Sequence, residues 1–156
     1  RLQVEHPVSE FLTGQDIVRR QLEIASGRNL ELNQDDIQLK GHAVEARVYA
    51  EDPDTFIPSP GVISKLNLPP TGPNLRIDHA LLPGVSVPPY YDPLLAKVIA
   101  WDEDRNLAIQ RLVAALEDVE VAGVKTSIPA NLKILRHPAF VSGNFDTGFM
   151  SDILNN

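Results

Sequence analysis

Ten of the 13 prolines fall between Pro53 and Pro93. Proline removes a backbone donor and fixes φ, so this stretch can be neither a long helix nor a central strand. It must be cut into short strands that meet at edges and turns. Asp52-Pro53, Pro58-Ser59-Pro60-Gly61 and Pro69-Pro70-Thr71-Gly72-Pro73 mark the turns, with strands predicted over Val62–Leu68, Leu75–Ile77 and Val85–Val87. The flanks are more regular. His42–Ala50 alternates, with Val44, Ala46 and Val48 on one face and Glu45, Arg47 and Tyr49 on the other. Pro93–Trp101 reads as a strand of Leu, Ala, Val and Ile interrupted by one charge, Lys97.

Helical spacing appears outside this region. A short helical turn from Ser9 breaks at Gly14, and a helix runs from an Asp16 cap to Gly27. A second begins at Asp102 or Asp104 and buries Ile109, Leu112, Val113 and Leu116. After a short strand near Val119–Val121 and a turn at Gly123, a third covers Ser127–Arg136 and stops at His137-Pro138. A last short element is expected near Met150–Leu154. Short antiparallel strands with packed helices make an α+β chain. Arg28–Lys40 is polar and reads as a linker, so we expect one unit over residues 1–36 and a second over 37–156.

Composition removes several classes of function. At 43% apolar residues the chain is too hydrophobic for disorder, and no apolar run approaches the roughly 18 residues of a membrane helix. A formal charge of −7 argues against nucleic acid as a partner. Cysteine is absent, which removes disulfides, thiolate metal sites and Cys nucleophiles and suits the cytoplasm. Position 1 is Arg and no Met precedes it, so we expect a piece of something longer.

No phosphate-binding loop is present; Gly123-Val124-Lys125-Thr126 has only the tail of one. The four histidines do not cluster, and no metal site is expected. Two constellations remain. If Arg1–His6 is extended, Arg1, Gln3 and Glu5 share a face at about 6.5–7 Å spacing. That row is either a solvated chain end or a seat for a small planar oxyanion, with Glu5 as proton acceptor. Glu45 and Arg47, two apart on one strand face, form either a structural ion pair or an arginine that stabilises a developing oxyanion.

These residues carry a resemblance. RLQVEHPVSE, GHAVEARVYAEDP, FIPSPG and VPPYYDPLLAKVIAW, in this order, resemble the carboxy-terminal part of the biotin carboxylases of the acetyl-CoA, pyruvate, propionyl-CoA, methylcrotonyl-CoA and urea carboxylase family. The resemblance implies the tail of an ATP-grasp domain up to Asp36, then the small biotin carboxylase C-terminal domain. It implies that Arg1, Gln3 and the backbone of Val4 hold bicarbonate, that Glu5 deprotonates it, and that Arg47 steadies the enolate of the biotin ureido group. ATP, Mg²⁺ and carrier-bound biotin are the implied cofactors and substrate, with nucleotide and metal ligands upstream of Arg1. Implied partners are a biotin carboxyl carrier, a carboxyltransferase and a second copy meeting near Leu75–His79.

One departure stands out. Ser127 replaces the asparagine that usually follows the Lys-Thr pair, and we expect it to cap the following helix. Alone the chain is expected to be inactive. The alternatives are a non-catalytic assembly module and another ATP-grasp ligase of the carbamoyl-phosphate synthetase kind. The catalytic reading requires Glu5 and Arg47 to face one cleft.

Overall fold

A computed structural model describes residues 1–154. The strands are β1 (His42–Tyr49), β2 (Gly61–Val62), β3 (Lys65–Asn67), β4 (Leu75–His79), β5 (Ser86–Val87), β6 (Leu94–Asp102) and β7 (Glu120–Ala122). The helices are α1 (His6–Thr13), α2 (Ile17–Ala25), α3 (Arg105–Asp118), α4 (Ile128–Arg136), α5 (Pro138–Ser142) and α6 (Phe149–Leu154), with one 3₁₀ turn at Gln34–Asp36.

β6, the apolar strand, lies at the centre of a three-stranded antiparallel sheet in the order β1-β6-β4. Its register sorts the side chains. Ala46 and Ile77 stand beside Val98, and Val44 and Leu75 beside Ala100, so the small and branched residues share one face. α3 lies against that face with Ile109, Leu112, Ala115 and Leu116, and these residues form the core. The opposite face is charged. Arg47 and Asp78 flank Lys97, while Glu45 and Arg76 flank the fully buried Ile99. α1 packs on this side through Pro7.

Local chemistry sets the helix ends. Asp16 caps α2 by accepting from the Arg19 amide at 2.8 Å. Asp104 does the same for α3 from Leu107 at 2.9 Å, while Asp102 pairs with Arg111. α1 closes at Gly14, in the left-handed region at φ +68°.

Four expectations change. The Val62–Leu68 strand is two pieces: Gly61–Val62 pairs with β5 and Lys65–Asn67 with β7. Ile63 turns inward between them and is fully buried, which breaks the run. The exit of β7 crosses so close that a Cβ on Gly123 would lie 1.9 Å from the Val62 carbonyl oxygen, at φ +103°. Secondly, Arg1–Glu5 is not an extended row. Val4 and Glu5 form a turn, the His6 amide donates to the Gln3 carbonyl at 3.3 Å, and α1 has begun by His6. Thirdly, His137-Pro138 ends α4 but also starts α5, because proline suits a first helical turn. Lastly, the Ser127 hydroxyl does not cap α4; it turns toward β1. Among the described residues no helix is long and apolar enough to cross a membrane.

Candidate functional site

The charged face of the sheet brings the two ends of the sequence reading together. Arg47 Nη2 donates to Glu5 Oε2 at 2.9 Å, across 42 positions of chain. Arg47 projects from β1, whose alternation points it away from the core. Glu5 sits in the turn before α1, which Pro7 anchors on the sheet. The two side chains are 37% and 52% exposed, so the pair lies at the open rim.

Beneath the rim the charges are half-buried. The Glu45 side chain is 6% exposed, with Oε1 3.5 Å from Arg47 Nε, and its Oε2 has no hydrogen-bond partner among the described residues. Burial pushes the Glu45 carboxyl above its usual range, and Lys97 and Arg47 oppose that without cancelling it. Lys97 stands opposite Arg47 in the β1–β6 register and is 12% exposed. Its Nζ donates to the Val4 carbonyl oxygen at 3.1 Å and lies 3.2 Å from Asp78 Oδ2. Asp78 takes a two-pronged contact from Arg76 at 2.7 and 2.8 Å, and Arg76 reaches on to Glu10 of α1. α1 is thus tied down by charge at both ends, at Arg47 on one edge strand and Arg76 on the other.

The backbone under Arg47 is also held. β1 is an edge strand, and its outer groups would be unpaired without a partner. Ser127, 4% exposed, accepts from the Tyr49 amide at 3.0 Å and donates to the Arg47 carbonyl at 3.3 Å; its own amide donates to the Tyr49 carbonyl at 3.0 Å. Asn131, one turn along α4, adds a second donor to the Arg47 carbonyl at 2.9 Å. A cavity of about 300 Å³ opens along this edge, between β1, Phe56 and α4.

Of the residues singled out from the sequence, Val4, Glu5, Glu45 and Arg47 meet here. Arg1 and Gln3 do not: both are exposed, and among the described residues neither side chain makes a hydrogen bond or ion pair. The sequence reading missed Lys97, Asp78, Arg76, Ser127 and Asn131 as members of the site. Lys97 had a signal, as the one charge inside an apolar strand. Among the described residues no group of three or more His, Cys, Asp or Glu could hold a metal ion.

Residues 45–152 match the family described as biotin carboxylase C-terminal domain. The chain belongs to that family. Residues 1–33 match a second family, described as carbamoyl-phosphate synthase L chain, ATP binding domain. Biotin carboxylase 1 of Bacillus subtilis is 48% identical over 151 residues, covering 96% of this chain and 33% of the relative. The chain spans about a third of the length of the curated relatives it matches. Among solved structures, the biotin carboxylase domain dimer of Hydrogenobacter thermophilus 2-oxoglutarate carboxylase, in complex with MgADP, ADP and bicarbonate, superposes with a TM-score of 0.94 at 42% identity. It is covered over 34% of its length and this chain over 97%. The biotin carboxylase subunit of a pyruvate carboxylase gives a TM-score of 0.93 at 44% identity, with the same coverage. The α+β architecture is therefore that of the matching third of the biotin carboxylase domain. The carbamoyl-phosphate synthase likeness ends at residue 33, before the charged sheet begins.

Proposed function

We propose that residues 1–36 are the tail of an ATP-grasp domain and 37–156 the C-terminal domain of a biotin carboxylase, which in the intact protein carboxylates carrier-bound biotin with bicarbonate. The Glu5–Arg47 pair at 2.9 Å carries this reading, because it places a proton acceptor and a fixed cation at one open rim. Glu5 takes the proton of bicarbonate, while the Val4 backbone and, once they turn inward from their exposed positions, Arg1 and the Gln3 amide hold the anion. Arg47 faces the ureido oxygen of biotin and stabilises the negative charge that grows there as the phosphate released from ATP takes the proton of the ring nitrogen. ATP supplies the activation of bicarbonate, and we place the ligands of its phosphates and magnesium outside this chain.

The pairing of Glu5 with Arg47 gives each a partner of opposite charge. Substrate binding then exchanges one anion for another at the guanidinium, so Arg47 is never left uncompensated. The apolar sheet face and the edge clamp from Ser127 and Asn131 keep its backbone from yielding as that exchange occurs. A biotinylated carrier, a carboxyltransferase and a second copy of the domain are the partners this reading assigns, and the cytoplasm its compartment. The dimeric, bicarbonate-bound Hydrogenobacter relative supports it.

Replacing Arg47 by Ala in the full-length protein is expected to lower biotin carboxylation by about 10²-fold or more, the scale of losing an oxyanion donor. Glu5→Gln should fall comparably, since it retains shape and loses the base. Steady-state rates equal to wild type in both variants would overturn the assignment.

A further inference from the structure

The half-buried lysine at the centre of the charged face has no part in the chemistry above. Lys97 makes its contacts from β6, the strand best shielded from water, where a cation is expensive unless it does something an apolar residue could not. α1 already docks on the sheet through the buried Pro7. What Lys97 adds is a hydrogen bond at 3.1 Å to the Val4 carbonyl, one peptide unit before Glu5. On its other side Asp78, 3.2 Å away, balances its charge, and Arg76 holds Asp78 in turn. Glu45 on β1 and Arg47 directly opposite complete the groups that face it.

We infer that Lys97 is the positioning residue that pins the Val4–Glu5 turn to the sheet and so sets the Glu5 carboxylate within reach of Arg47. The inference rests on the catalytic reading of Glu5 and Arg47. Arg47 is fixed by β1 and its edge clamp; Glu5 sits on an exposed turn with no strand of its own. Without a tether from the sheet, Glu5 would sample positions in which the base and the cation no longer address one substrate. Misplacement of this kind, on the order of 1 Å, costs about 10²-fold in well-ordered sites.

The test uses the full-length enzyme, with initial rates measured against biotin, bicarbonate and ATP in turn. Lys97→Met is expected to lower kcat by about 10- to 100-fold while leaving the KM for ATP unchanged, and Lys97→Arg, which keeps charge and donor, to recover part of the loss. The decisive measurement is a double-mutant cycle with Glu5→Gln. If Lys97 acts through Glu5, Glu5→Gln costs far less in the Lys97→Met background than in wild type. Full multiplicativity, or a wild-type kcat in Lys97→Met, overturns the inference. Should Lys97→Met fail to accumulate as folded protein, Lys97→Gln takes its place in the same cycle, with the same two outcomes. Loss of activity in Arg47→Ala and Glu5→Gln, with none in the Lys97 variants, defeats the positioning role alone; unchanged rates in Arg47→Ala and Glu5→Gln defeat the catalytic reading beneath it.

Discussion

Glu45 and Asp78 stand on the same face of the sheet, yet their surroundings move them in opposite directions. Burial raises Glu45 above its ordinary 4.5, with Lys97 and Arg47 only partly offsetting it. Burial pushes Asp78 up as well, but Arg76 and Lys97 outweigh it and hold the carboxyl below 3.8. The consequences for stability differ in sign. Glu45 binds its proton more tightly when folded, so its contribution is fully present below 4.5 and is lost as pH rises through the folded value. Asp78 stabilises the fold above 3.8, and that contribution is lost as pH falls through its lower folded value. Glu45→Gln should therefore gain on wild type as pH rises from 4.5, and the deficit of Asp78→Asn should shrink as pH falls below 3.8. Urea denaturation between about pH 3 and pH 7, followed by Trp101, the one tryptophan of the chain, reads both. Parallel curves for variant and wild type would show that neither carboxylate is coupled to folding.

At the scale of elements, the decisive feature is how the outer edge of β1 is closed. Ser127 answers both groups of Tyr49 and shares the Arg47 carbonyl with Asn131. Ser127→Ala strands the Tyr49 amide but leaves Asn131 on the carbonyl, so it should cost about 1–3 kcal/mol, read by denaturation together with faster exchange of the Tyr49 amide. An unchanged Tyr49 exchange rate would mean that water already serves this edge. The same place shows what could be read from residues in order and what could not. Period-two alternation made the Glu45 and Arg47 face of β1 legible, because it is a local property. The start of α4 was legible for the same reason, but the Ser127 hydroxyl looked like a cap because the need of β1 for a partner lies 80 residues away. Val62–Leu68 read as one strand because proline and glycine turns bound it on both sides and none interrupts it; its division is decided by β5 and β7, elsewhere in the chain. The Arg1–Glu5 row failed because Pro7 favours a helix that has already begun at His6. Glu5 and Arg47 were paired in the sequence reading by resemblance, since no period spans the 42 residues between them.

Across the whole chain, the two sides of the sheet differ in what holds them. The side facing α3 is a continuous apolar core that supplies its own stability. The side facing α1 is fastened largely by charge, and α2 beyond it buries no residue, with Leu22 and Ile24 exposed. Folding and activity should accordingly separate. Residues 1–156 expressed alone are expected to fold around α3 and the three-stranded sheet, with α3 amides protected against exchange and α2 amides exchanging near the rate of open chain. On the proposed division of the reaction, the same preparation should show no ATP hydrolysis that depends on bicarbonate and biotin. Exchange and hydrolysis measured on one sample give two independent readings. Protected α2 amides would mean that its apolar side finds a partner in the isolated chain, such as a second copy. Hydrolysis that requires both bicarbonate and biotin would mean that a nucleotide site exists within residues 1–156, and the proposed placing of the ATP ligands outside this chain would fall.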